Sequence, residues 1–269
     1  MDDIAAQSSG SLGSRTSIAG AVGSNLTFRV MEDLGAAIVT GRYDGHNSFP
    51  IEAVLCQQYG VSRSVLREAV KMLTAKGLLN ARPRQGTWVQ PERLWNFLDP
   101  DVLRWLLERK LSFQLLIEFT QMRLAVEPHA AAMAAQSAGR GEIAAMMTAI
   151  DRMVAAEQGE DDPLIADIAF HVAVMRASGN RFYAQFCDMI NTAARFSIRT
   201  TNFFKGVGQA SARDHKKVAD AIVRGDAAAA QFNMRVLMQE ALDLIEFAKT
   251  QTVRPILATH GIANQIPAE

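Results

Sequence analysis

Glycine and proline punctuate the stretch from Leu26 to Pro91 so closely that few structures remain open to it. Val30, Leu34, Ala37 and Ile38 recur at helical spacing and predict a first helix over Leu26–Thr40, stopped by Gly41. A turn-rich loop follows over Tyr43–Pro50. Pro50 is suited to open a second helix, Ile51–Tyr59, and Gly60 ends it after few turns. Ser62 is a good N-cap for a third helix over Arg63–Lys76, although Val65 stands where a full capping box would carry an acid. Gly77 closes that helix. Two short β-prone runs, Leu78–Arg82 and Thr87–Gln90, then flank Pro83-Arg84-Gln85-Gly86, which is the pattern of a hairpin.

Three short helices and a hairpin in this space make a winged helix-turn-helix. The faces of the third helix agree. Leu66, Ala69, Val70 and Leu73 share one side and are expected to pack inward. Arg63, Ser64, Arg67 and Lys71 share another, facing solvent or a DNA groove. From Gly60 to Gln90 six basic residues, Arg84 among them, stand against one acid, Glu68. The whole chain, by contrast, balances 28 Lys and Arg against 28 Asp and Glu. The neutral total rules out a polybasic protein, but it is compatible with basic charge segregated on one surface.

Other classes fall away. No run approaches a membrane span of ~18 apolar residues. The opening MDDIAAQSSGSLGSRTSIAGAVGSN lacks an apolar signal-peptide core, and its Gly and Ser read as a flexible tail over residues 1–24. Cys56 and Cys187 lie far apart, with neither metal-type spacing nor a disulfide framework, so a reduced, cytoplasmic protein is expected.

Residues 101–250 predict an all-α antiparallel bundle, joined to the winged helix over 25–91 by a linker at 92–100 and followed by a tail at 251–269. The expected helices are Asp101–Arg109, Ser112–Ala138, Glu142–Glu157, Asp162–Ala177, Arg181–Phe204, Gln209–Arg224 and Asp226–Lys249, each with an apolar stripe. From Asn96 on there are 18 basic and 20 acidic residues, so this region is no second nucleic-acid surface. Its telling residues are ionisable groups in apolar surroundings. Asp167 and His171 stand four apart within DIAFHVAVM, Arg123 and Glu127 four apart within RLAVEP, and His215 lies in RDHKKVADAI. Such spacing lets two side chains converge on a metal ion or polar ligand, and it also suits a simple hydrogen-bonded pair.

The segment FPIEAVLCQQYGVSRSVLREAVKMLTAKGLLNARPRQGTWV resembles the DNA-binding domain of the GntR family of bacterial transcription regulators. The resemblance implies double-stranded DNA as partner. It implies that Arg63, Ser64 and Arg67 contact bases or phosphates, with Lys71 and Arg84 adding charge, and that Gly86 lets the wing backbone approach the minor groove. Many relatives carry an Arg where this chain has Ala53, and Glu52 reads as a helix-start acid. Arg-x-x-x-Glu-Pro, Asp-x-x-Phe-His, Ser178-Gly179-Asn180 and Asp-His-x-x-Val, in that order, resemble the effector domain of the FadR-like subfamily. That implies a homodimer and a small carboxylate effector held by Arg123, Asp167, His171 and His215. It also implies a divalent metal on Asp167, His171 and His215. Leu237 occupies the position expected of a fourth, histidine ligand. Three protein ligands with water or effector oxygens would still hold Zn²⁺ or Ni²⁺; alternatively the same groups hydrogen-bond the effector without metal. The segment LWNFLDPDVLRWLLE is similar to the branch that senses sugar acids of the galactonate type. Asn191 and Arg195, four apart on the following helix, are candidates for the same pocket.

The function expected is a ligand-responsive repressor of a sugar-acid catabolic operon, not an enzyme. A regulator for another small acid, a dicarboxylate or a hydroxy acid such as lactate, is the alternative. A helical metalloenzyme fused to a DNA-binding head is a further one, although no nucleophile motif, separate general base or phosphate loop stands in the sequence.

Overall fold

A computed structural model describes residues 16–43, 48–82, 85–109, 112–206 and 210–251, with side chains from residue 25 onward except that of Arg109. The protein is mainly α and divides into two compact units between Trp95 and Asn96. Arg84, the first fifteen residues and the tail after Gln251 lie outside the described residues.

The first unit holds α1 (Thr16–Val39), α2 (Glu52–Tyr59) and α3 (Arg63–Ala75), then the antiparallel wing of β1 (Leu79–Arg82) and β2 (Gly86–Val89). The first helix begins at Thr16, inside the stretch expected to be a flexible tail. Gly and Ser in this stretch weaken a helix without stopping it, no proline intervenes, and the alanines between them favour it. Val30, Met31, Leu34 and Ile38 of α1 are buried, as are Leu66, Ala69 and Leu73 of α3, and α1 packs on α3. Arg63, Ser64, Arg67 and Lys71 are exposed on the opposite side of α3. Local chemistry fixes where α3 starts. Gly60 ends α2 with a φ of 62°, a left-handed conformation that favours glycine, and the Ser62 hydroxyl accepts a hydrogen bond from the Val65 N–H. At the wing tip Gly86 has a φ of 83° where it pairs with Arg82, so the turn itself requires a glycine there.

The second unit is a helical bundle of α4 (Pro100–Arg109), α5 (Phe113–Ser137), α6 (Arg140–Glu157), α7 (Pro163–Ala177), α8 (Arg181–Lys205), α9 (Ala212–Val223) and α10 (Ala227–Gln251). The last helix packs chiefly along α5, while α7 lies between α6 and α8. Asp162 caps α7 by accepting from the Leu164 and Ile165 N–H groups, with Pro163 in the first turn. The apolar residues of α7 face two ways. Phe170, Val174 and Ala177 join a core with Met146, Ile150 and Met234, whereas Ile168, Val172 and Met175 join one with Ile190 and Ile198. A helix apolar on nearly every side is a buried helix. Its two ionisable residues, Asp167 and His171, are therefore inside the bundle, at 3% and 2% exposure.

The two faces of α3 predict opposite outcomes. Leu66→Ala should destabilise the protein by about 2–5 kcal/mol, and Lys71→Ala should leave the unfolding midpoint unchanged, as measured by chemical denaturation.

Candidate functional site

Two arrangements stand out, one in each unit. In the first, Glu52 opens α2 and reaches α3. Its carboxylate accepts a hydrogen bond from Arg67 Nε at 2.8 Å and lies 3.7 Å from Arg63 Nε. Arg67 holds the Glu52 carboxyl below the usual carboxylate range. Glu52 is thus more than a helix-start acid: it ties the two exposed α3 arginines to the neighbouring helix. On the wing, the Arg82 guanidinium lies 5.7 Å from the centre of the Trp88 ring.

In the second unit, α5, α7 and α9 bring five buried ionisable side chains into one chain of contacts. Arg123 Nε donates to Glu127 Oε1, one turn along α5, and both side chains are 1% exposed. The other oxygen of Glu127 lies 2.6 Å from His171 Nδ1. Burial alone would raise the Glu127 pKa, but Arg123 and His171 outweigh it and bring it to about 2. On the far side of the ring, His171 Nε2 is 3.2 Å from Asp167 Oδ1, and His215 Nε2 is 3.6 Å from the same atom. The His171 nitrogen is misaligned for a hydrogen bond and the His215 nitrogen too distant, so this buried carboxylate oxygen has no hydrogen-bond partner among the described residues. Burial opposes the charge on Asp167, yet the two rings hold its pKa far below the usual range. For His171, burial disfavours the charged ring, but Glu127 and Asp167 hold its pKa above the ordinary value.

The geometry defines which nitrogens face the centre. His215 Nδ1 lies 2.9 Å from the Ser211 carbonyl, an acceptor, so Nδ1 carries the proton. Glu127 imposes the same tautomer on His171. When both rings are neutral they present two Nε2 lone pairs to the Asp167 oxygen, with all three atoms within 4.8 Å of one another. Three electron-rich atoms packed this closely call for a cation. A divalent metal satisfies them, and so does a proton on one ring. The donor set suits Zn²⁺ or Ni²⁺, and each histidine is oriented through its other nitrogen, as metal-ligating histidines usually are. Phe170 packs edge-on against both rings, with centroids 5.6 Å from His171 and 5.1 Å from His215. The Phe of the Asp-x-x-Phe-His pattern thus sets the ring positions.

Four of the five ionisable side chains line a pocket of about 550 Å³, counted with the solvent at its mouth. Arg123, Asp167, His171 and His215 come together there, and Leu237 contributes an apolar wall where a fourth ligand was expected. Asn191 and Arg195 do not line it. Both are on the exposed stripe of α8, because the side of that helix which reaches the pocket carries Ser197, Ile198 and Thr201. Ser197 lies about 200° around the helix from Arg195. Two participants escaped the sequence reading. Glu127 was visible only as a pattern element, and Ser197 has no signature at all. Lys205 and Glu240 form a 2.6 Å ion pair where α8 and α10 line the pocket.

Comparison with known proteins places both units. Residues 26–89 match the model of the bacterial regulatory proteins of the gntR family, and residues 118–240 match the FCD domain. The chain is 33% identical to the galactonate operon transcriptional repressor of Escherichia coli over 208 residues, covering 77% of this chain and 91% of the relative. The chain belongs to the GntR family. It is a transcriptional regulator of the GntR type with an FCD domain, as in the FadR-like subfamily. It is also 29% identical to the putative L-lactate dehydrogenase operon regulatory protein of Escherichia coli, over 75% of this chain and 79% of that one. Among solved structures, Lar of Listeria monocytogenes shares the fold, with a TM-score of 0.52 at 16% identity over 82% of this chain and 97% of that one. Among the described residues of this GntR regulator, no helix is long and apolar enough to cross a membrane.

Removing Glu127 leaves Arg123 buried without its counter-charge. Glu127→Ala should cost about 3–5 kcal/mol of stability, measured by chemical denaturation of the full chain.

Proposed function

We propose that this regulator is a cytoplasmic, homodimeric repressor of a sugar-acid catabolic operon, released from its operator when a sugar acid fills the helical pocket. The observation that carries the reading is the convergence of Arg123, Asp167, His171 and His215 on one pocket, within a chain 33% identical to a galactonate operon repressor. An acid with several hydroxyls matches the set: the Arg123 guanidinium favours the carboxylate, and the Asp–His group favours hydroxyl oxygens. Glu127 occupies the Nε edge of Arg123, so the effector meets the remaining part of the guanidinium. A divalent metal would be held by Asp167, His171 and His215, with Leu237 offering no fourth ligand, and would supply Lewis acidity toward effector oxygens. The metalloenzyme alternative draws on the same three side chains, and membership of a regulator family favours the sensor. A hydroxy-acid effector is the second reading, favoured by the similarity to the putative lactate operon regulator.

On the DNA side, Arg63, Ser64, Arg67 and Lys71 enter the major groove, with the wing at the backbone or minor groove. Two heads on a dimer read a pseudo-palindromic operator. Effector binding works by favouring one of two states that differ in operator affinity.

Three measurements test the reading. Galactonate should reduce operator binding in a gel shift with DNA from upstream of its operon, and a panel of aldonates and uronates without effect would end the sugar-acid reading. Arg67→Ala should weaken operator binding and reduce the slope of log affinity against log salt by about one if the contact is to phosphate. In thermal unfolding, galactonate at about 100 times its Kd should stabilise the protein by about 2.7 kcal/mol; the gain should shrink after chelation and return with Zn²⁺ or Ni²⁺.

A further inference from the structure

Three buried side-chain oxygens have no hydrogen-bond partner among the described residues: Asp167 Oδ1, Ser197 Oγ and Thr120 Oγ1. Asp167 belongs to the cluster already described. Ser197 lines the same pocket, and Thr120 does not. A serine inside a helix ordinarily satisfies its hydroxyl by donating back to a carbonyl one turn earlier. The threonines of α8 all do so: Thr192 donates to Asp188, Thr200 to Phe196 and Thr201 to Ile198. Ser197, on the same helix and 1% exposed, does not. An unsatisfied buried hydroxyl costs free energy, and one that lines a pocket has a way to recover it.

We propose that Ser197 is the residue that selects for a hydroxyl on the effector. Its Oγ exchanges a hydrogen bond with one ligand hydroxyl, so the pocket separates hydroxylated acids from their deoxy analogues. The inference rests on the pocket being the effector site, as proposed above, and narrows the effector class to acids bearing a hydroxyl within reach of α8. A site built to bond a hydroxyl rejects the analogue without it, because its own polar group is then left buried and unpaired.

The test uses the full chain and calorimetric Kd values for galactonate and for its 2-, 3- and 4-deoxy analogues, with lactate and propionate as a shorter pair. Wild-type protein should bind one hydroxylated acid about tenfold more tightly than its deoxy partner. Ser197→Ala should bring the two Kd values together by weakening the hydroxylated acid alone. Its ligand-free Tm should be unchanged or higher, because it removes an unsatisfied group. Thr120→Val, which deletes an equally buried hydroxyl outside the pocket lining, should keep the discrimination. Full discrimination in Ser197→Ala, a fall of several degrees in its ligand-free Tm, or equal loss in Thr120→Val would overturn the assignment. If wild-type protein binds galactonate and Ser197→Ala discriminates as before, only this inference fails. If wild-type protein binds none of these acids, the effector reading fails with it.

Discussion

The second unit is organised around one carboxylate. Glu127 lies in the core of a helical bundle, where an isolated charge would be prohibitively unstable. It is tolerated because Arg123 stands one turn away on the same helix and His171 meets it from α7. Each contact has a further effect. The Arg123 pairing holds Glu127 ionised. The ionised Glu127 sets the His171 tautomer. That tautomer turns Nε2 toward Asp167, and Asp167 in turn faces His215. Loss of the first pair would therefore disturb a chain of contacts crossing three helices, which is why this group behaves as one unit rather than as separate ion pairs.

Such a core is a poor device for stability. Well-packed apolar residues in place of a buried ion pair often give equal or greater stability. The surroundings could have been apolar: Phe170, Ile168, Val172 and Val174 of α7 are. What the polar chain supplies is an oxygen and two nitrogens held close together, with the orienting bonds of both histidines on the outer side. Rigid helices fix these atoms more tightly than loops would. The arrangement fits the binding role proposed for the pocket, and the unpartnered Asp167 Oδ1 supports that reading.

Much of this was legible in the sequence, for identifiable reasons. The winged helix was, because Gly41, Gly60 and Gly77 punctuate it and Ser62 caps the third helix. The Asp167–His171 pair was, because an ionisable pair inside an otherwise apolar helix must be buried. The parts that were not legible involve distance or absence. Glu52 and Arg67 are fifteen residues apart, and nothing local joins them. Asn191 and Arg195 share the helix that lines the pocket, but which side of α8 turns inward is decided by packing against α7, α10 and α4. The early start of α1 was hidden by Gly and Ser, which lower helix propensity without forbidding it. Ser197 looks like any other helical serine until its neighbours on α8 prove to be satisfied and it does not.

Charge balance at the pocket floor links the metal to the effector. Arg123 contributes one positive charge, and Glu127 and Asp167 two negative ones; the proton that these carboxylates favour on His171 balances the set, and with that ring neutral the set is negative. A carboxylate entering beside it would be repelled, at short range and with little water to screen the charges. A divalent cation held by Asp167, His171 and His215 would reverse the sign. An anionic effector and such a cation would stabilise each other's binding, and the coupling would be reciprocal: whatever factor the metal added to effector affinity, the effector would add to metal affinity. Leu237 strengthens this dependence. A fourth protein ligand would hold the metal whether or not effector were present. An apolar side chain at that position offers no ligand, so a metal held by the other three residues would depend more on the effector.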